Sequence, residues 1–228
     1  MSIKKQYILI AILLLFAIPQ VDAQLFNRQK KGGLLKENKI EQHIDMHTLT
    51  VDENINIPVV ESPLAHRKIR EYMAEKVKSL QKLKQYGLSK VELLRGDEVI
   101  KVTIPMDKLF YPNDTTFFPK SDLLLRPIAR YGEEEGMYHI LVVTHSDNTG
   151  SIDYCLNLTS NRADRLLLRL KQLGVKTKEI VVYAMGSEEP VTDNLSMESR
   201  RKNRRTEIYL IPGEEMIKLS LRGRLEIK

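Results

Sequence analysis

Residues 139–173 read HILVVTHSDNTGSIDYCLNLTSNRADRLLLRLKQL, and this stretch decides the fold. His139–Thr144 (HILVVT) is a short, nearly continuous apolar run, the pattern of a strand buried on both faces. Asp147-Asn148-Thr149-Gly150 has the composition of a turn. From about Asp153 to Leu173 the period changes to that of a helix, with Leu156, Ala163, Leu166, Leu167, Leu170 and Leu173 forming one apolar stripe. Gly174 followed by Val175 fits a left-handed C-terminal stop with a hydrophobic contact behind it. The stretch is therefore strand, loop, helix. Backbone N–H groups at such a junction attract anions, and loop side chains there are free to face a ligand. Arg162 falls about two turns into the helix, and a second basic group, Arg200-Arg201-Lys202-Asn203-Arg204-Arg205, precedes the last strand.

Outward from this core, Glu179–Ala184 and Thr206–Ile211 read as two further strands. Val91–Leu94 and Val99–Ile104 read as a hairpin turning at Arg95-Gly96-Asp97-Glu98. Ser121 can cap a short helix running to Tyr131, with Pro127 as a bend. Ile69, Met73, Val77, Leu80 and Leu83 give a helical period from Ala65 to about Tyr86, ended by Gly87. That helix packs on the next domain or on a second copy of the chain, so a homodimer is open. The tail Gly213–Lys228 alternates Ile217, Leu219 and Leu221, which predicts one more strand. The expected class is α/β: a βαβαββ two-layer sandwich, a mixed sheet with helices on one face, preceded by a helix and an N-terminal arm.

The N-terminus carries a separate message. Lys4 and Lys5 precede the apolar run ILIAILLLFAI, Pro19 breaks it, and Val21-Asp22-Ala23 offers compact residues where a signal peptidase reads. This is the three-part pattern of a secretory signal, with cleavage expected after Ala23. A bilayer span takes about 20 apolar residues, and this run is shorter. The expected divisions are 1–23 signal peptide, 24–63 arm or tether, 64–87 helical segment, 88–212 main domain and 213–228 tail. The single cysteine, Cys155, cannot form an intrachain disulfide, so an exported chain of this kind depends on its core. A net charge of +6 over 228 residues is modest. The arginine cluster lacks interleaved aromatics, so neither feature argues for nucleic acid. The five histidines show no metal-ligand spacing. No cofactor is expected.

The string HSDNTG, then Tyr154, Leu158-Thr159-Ser160-Asn161-Arg162-Ala163, Gly174-Val175, Pro190, Asn194, Arg200 and Asn203-Arg204-Arg205 resembles the OmpA C-terminal-like peptidoglycan-binding domain. The likeness extends from about Lys90 to Pro212, and several motifs agree in order and spacing. It implies a non-catalytic envelope protein of a Gram-negative bacterium. Such a protein holds the diaminopimelate of the stem peptide and tethers the cell wall to the outer membrane or an envelope complex. The resemblance puts Asp147 and Arg162 on the ligand, with Ser146 and Arg204 as further contacts. Charge complementarity agrees: a zwitterionic amino-acid end needs an acceptor for its ammonium and a two-pronged donor for its carboxylate. Three positions depart from the family pattern, with Thr144 and Ser199 standing for glycines and Cys155 for an asparagine.

Other readings compete. Asp147 is also good turn chemistry, and Arg162 alone would pass for a solvated helix arginine. His145, Ser146 and Asp147 are consecutive on an extended segment and point in alternating directions, so they cannot form a catalytic relay. Two functional alternatives remain: a cell-wall peptide hydrolase using Cys155, and an anchored motor or envelope-complex subunit. The expected partner is peptidoglycan, with an outer-membrane or envelope protein beside it, in the periplasm.

Overall fold

The structure, a computed structural model, describes residues 60, 62–176, 178 and 180–226. The chain divides into two units, Met1–Glu41 and Gln42–Lys228, and all described residues belong to the second. The signal peptide read at 1–23 lies outside the described residues, as does almost all of the arm read at 24–63. Among the described residues no helix is long and apolar enough to cross a membrane.

Helix α1 spans Pro63–Gln81 and starts where the sequence supplies a start. Ser62 caps it by accepting from the Ala65 amide, and proline occupies the first turn. It continues as a 3-10 turn, Lys82–Tyr86, and ends at Gly87, whose φ of +101° needs glycine. Strands β1 (Lys90–Leu94) and β2 (Val99–Pro105) form the expected hairpin. Helix α2 is Asp122–Ala129, extended by a 3-10 turn at Arg130–Gly132, with Pro127 inside it. Ser121 itself has helical dihedrals and makes no side-chain cap, so the N-cap role expected for it is not realised. Strand β3 is Tyr138–His145, helix α3 Ile152–Gln172, and strand β4 Ile180–Gly186. Helix α4 is Met197–Asn203, strand β5 Arg205–Pro212, and helix α5 Glu214–Leu221.

The five strands run in the order β1-β2-β5-β3-β4. β3 and β4 are parallel, joined across α3, and every other pairing is antiparallel, so the sheet is mixed. The fold class is the α/β arrangement expected from the sequence, with α4 added between the last two strands. The main core lies on one face: Ile100, Val102 and Ile104 of β2, Ile140 and Val142 of β3, and Ile208 and Leu210 of β5 meet Met73 and Leu80 of α1, Leu125 and Ile128 of α2, and Leu166 and Leu170 of α3. Burying one such side chain fully is worth about 1.5–3 kcal/mol, which orients each helix on the sheet.

The tail corrects an expectation. Residues 214–221 are helical, and the predicted extra strand is absent there. Three alternating apolar residues cannot distinguish the two periods. Glu214 and Glu215 in the first turn suit a helix N-terminus. Met216 and Ser220, one helical turn apart, are the positions that bury.

Candidate functional site

The carboxyl end of β3 opens into the loop Ser146–Gly150, anchored where the Ser146 amide donates to the Gly186 carbonyl at 2.7 Å. Ser151 then caps α3 by accepting from the Tyr154 amide. Beneath the loop Thr144 replaces backbone freedom with hydrogen bonding. Its hydroxyl lies 2.9 Å from the Thr159 carbonyl and 3.1 Å from that of Tyr183. The Thr159 hydroxyl in turn accepts from the Gly186 amide at 3.1 Å. One small network therefore ties β3, α3 and β4 together under the loop.

Asp147 is 5% exposed. Its Oδ1 accepts from the Thr149 amide at 2.9 Å, the Asx-type turn its sequence suggested. Its Oδ2 is paired with the Arg204 guanidinium. Burial works against the charge, but the Thr149 amide and Arg204 outweigh it and hold the carboxyl below the usual range. Asp147 is thus a fixed anion near neutral pH.

Arg162 is 3% exposed and projects from α3 toward the segment between β2 and α2. Its Nε donates to the Asp114 carbonyl at 2.9 Å and its Nη2 to the Tyr111 carbonyl at 3.2 Å. The guanidinium carbon stands 5.5 Å from the centre of the Phe110 ring, within cation–π range. Burial lowers its pKa, opposed by Tyr154 and Asp114, while Arg204 adds to the lowering. Hydrogen bonds to a charged group are worth about 1.5–3 kcal/mol each, enough to keep a largely buried guanidinium in place. Among the described residues Nη1 makes no protein hydrogen bond, so the guanidinium keeps donors for another partner.

The carbonyls reach Arg162 because their loop is held from within. The Asp114 carboxylate accepts from the amides of Thr115 and Thr116 and from the Thr116 hydroxyl. Phe110 stacks on Phe117 with ring centres 4.6 Å apart. Tyr111, Asp114 and Phe110 were not read as site residues from the sequence. Two of them act through backbone carbonyls, which carry no side-chain signature.

One cleft of about 250 Å³ has Asp147, Arg162 and Arg204 on its walls, with Phe110, Tyr111, Tyr154 and Leu158 beside them. All four residues singled out from the sequence, Asp147, Arg162, Ser146 and Arg204, reach this cleft. They do not play equal parts. The Ser146 hydroxyl is turned inward and donates to the Asp147 carbonyl at 2.9 Å. Cys155 is buried, with its Sγ 3.4 Å from the Asp147 carbonyl and 3.7 Å from that of Thr149. A thiol facing two carbonyls is a weak donor to the loop, and among the described residues no base is hydrogen-bonded to it. Among the described residues no three His, Cys, Asp or Glu side chains are grouped to hold a metal ion.

Residues 109–204 match the model of the OmpA family. Over 122 residues the chain is 28% identical to the probable lipoprotein YiaD of Escherichia coli (strain K12), covering 54% of this chain and 56% of that protein. Over 113 residues it is 27% identical to the peptidoglycan-associated lipoprotein of Buchnera aphidicola subsp. Baizongia pistaciae, covering 49% of this chain and 65% of that one. The chain therefore spans less than two thirds of either relative. Among solved structures it is similar to a MotB-like protein from Desulfovibrio vulgaris, with a TM-score of 0.55 at 18% identity, over 64% of this chain and 95% of that chain. That likeness is one of fold.

Proposed function

Residues 109–204 match the OmpA family model, and from that premise we propose that the protein anchors to the cell wall by gripping the peptidoglycan stem peptide non-covalently in the cleft between Asp147 and Arg162. The domain is a binding module and not an enzyme. One observation carries the reading: an ionised carboxylate and an oriented guanidinium, both nearly buried, face one small cleft at the end of β3.

The chemistry is that of a zwitterion. Asp147 receives the ammonium of the diaminopimelate side-chain end, and Arg162 presents its remaining N–H groups to the carboxylate. Both contacts are charge-assisted and, in a partly dry cleft, stronger than in water. The arrangement discriminates. A stem peptide with lysine at the same place would satisfy Asp147 and leave Arg162 facing no carboxylate, and a buried donor without its partner costs about 1–3 kcal/mol. Arg204 shares Asp147 with the incoming ammonium and adds positive charge at the cleft mouth for the same carboxylate. The setting that follows is the periplasm, after removal of residues 1–23, with the cell wall held to the outer membrane or to an envelope complex.

The test is an NMR titration of the labelled chain with two stem peptides, one containing diaminopimelate and one containing lysine. The reading expects saturable shifts at Asp147 and Arg162 with the first and affinity at least about tenfold weaker with the second. Equal affinity for both peptides would remove diaminopimelate as the ligand.

A further inference from the structure

The cleft that holds Asp147 and Arg162 has a second kind of lining. Tyr154, Leu158 and Arg162 recur every fourth residue along α3 and share one side of the helix, with about 6 Å of rise between neighbours. Arg162 is buried, Leu158 half-buried and Tyr154 45% exposed. The stripe therefore runs from the charged interior of the cleft outward to its mouth.

A second wall comes from the turn at residues 111–114, closed by the Asp114 amide donating to the Tyr111 carbonyl at 3.2 Å. Pro112 and Asn113 occupy its centre. Asn113 takes the positive φ, +53°, that a turn with proline second asks of its third residue.

Tyr111 and Tyr154 are the two tyrosines of the cleft, one from each wall, and both are held in place. The Tyr111 ring packs on Phe118 with centres 5.1 Å apart, while its carbonyl accepts from Arg162 Nη2. The Tyr154 ring lies over Gly150, where a Cβ would come within 2.9 Å of Tyr154 Cδ1. Gly150 also has a φ of +111°, so the loop that presents Asp147 makes room for that ring through a residue without a side chain.

Exposed aromatic rings are not scattered over the molecule. Among the described residues four are more than a third exposed: Tyr86, Tyr111, Phe118 and Tyr154. Two of them line the cleft, and Phe118 braces one of those two. A fixed ring at the surface offers a large apolar contact at low entropic cost. Charge alone also leaves part of the ligand without a partner. The zwitterionic end of diaminopimelate joins its peptide through an unbranched hydrocarbon stem, which neither a carboxylate nor a guanidinium serves. Methylene groups gain by leaving water, and the cleft is apolar at Tyr111, Pro112, Tyr154 and Leu158.

We propose that Tyr111 and Tyr154 form an aromatic slot that takes this hydrocarbon stem, which makes them specificity-determining residues of the cleft. The inference rests on the zwitterion reading above and adds to it. Asp147 and Arg162 recognise the charged end of the ligand, and the two rings recognise the methylene chain behind it. The ring faces do this work, not the phenol hydroxyls.

The test is NMR of the full chain with the diaminopimelate stem peptide. The ligand's methylene signals are expected to move upfield on binding, as protons over aromatic faces do, and to show NOEs to both rings. Tyr154→Ser and Tyr111→Ser should each weaken binding about tenfold and remove part of the upfield shift. Tyr154→Phe keeps the ring and should bind within about twofold of wild type. Both tyrosines are exposed, so each variant should keep the wild-type circular dichroism. Saturable shifts at Asp147 and Arg162 with the methylene signals unmoved, or serine variants that bind as wild type does, would overturn the slot and leave the zwitterion reading standing. No binding by wild type would overturn both.

Discussion

Arg204 closes its guanidinium on the Asp147 carboxylate, 57 residues earlier in the chain. The contact joins the loop after β3 to the residue that ends α4, and it makes Asp147 a shared group. Its Oδ1 belongs to the turn and its Oδ2 to Arg204. On the proposed reading, a ligand ammonium would enter a site in which one cation is already present and movable, since the Arg204 side chain is 42% exposed.

This pairing sets a pH dependence. The Asp147 pKa is lowered below its usual value: burial opposes the charge, and the Thr149 amide and Arg204 overcome it. Binding to sacculi should be fully present above that lowered pKa and lost as pH falls through it. Arg204→Ala removes a stabilising cation, so the midpoint of the loss should move to higher pH. Carboxyl-detected NMR titration of Asp147 in both proteins checks the direction.

The orientation of Arg162 depends on a loop it does not belong to. Asp114 holds residues 114–116 in a tight turn, and its own carbonyl receives Arg162 Nε. Asp114→Ala should weaken stem-peptide binding about tenfold with the overall fold retained. Arg162→Lys should bind worse still, because an ammonium cannot meet two carbonyls and a carboxylate in one plane. Isothermal titration with the diaminopimelate stem peptide measures both.

Cys155 packs against the carbonyls of Asp147 and Thr149. Cys155→Ser should leave sacculus binding within about twofold, and neither protein should release stem peptides from purified sacculi. Cys155→Asn supplies a stronger donor to the same carbonyls and should rigidify the loop, seen as slower amide exchange at Asp147–Thr149.

The buried charges on the second sheet face govern stability. Glu207 is 3% exposed beside Arg205, Lys101 and His145. Burial opposes its charge, but Arg205 and the Tyr209 hydroxyl hold its pKa well below the usual carboxylate range. Glu207→Gln strands the cations and should cost about 3–5 kcal/mol. His145 carries the opposite charge type: burial lowers its pKa, so it folds neutral. The unfolded chain takes up that proton first as pH drops below about 6.5, so stability should decline from pH 7 towards the lowered value. His145→Gln should flatten this slope in urea titrations at pH 7 and 5.5.

Much of the fold was legible because its elements advertise themselves locally. β3 is a bounded apolar run, and α3 carries an unbroken stripe. The stop after α3 follows the expected form, with Gly174 at φ +106° and the Val175 amide bonded to the Leu170 carbonyl. α4 and α5 were missed. α4 has seven residues and buries only Asn203, so it shows no apolar period. α5 was hidden by a chance alternation of three residues. In the site, the family resemblance named Asp147, Ser146, Arg162 and Arg204, and all four line one cleft. The carbonyls of Tyr111 and Asp114 and the long-range partner of Asp147 were not legible, because tertiary packing alone brings them there.

The central claim is that Asp147 and Arg162 together hold the stem peptide, and co-sedimentation with purified sacculi tests it most directly. Wild type, Asp147→Ala and Arg162→Ala are compared side by side, with circular dichroism confirming that each is folded. Wild type should pellet with the sacculi while both folded variants stay in the supernatant. A folded Arg162→Ala or Asp147→Ala protein that pelleted as wild type does would contradict it.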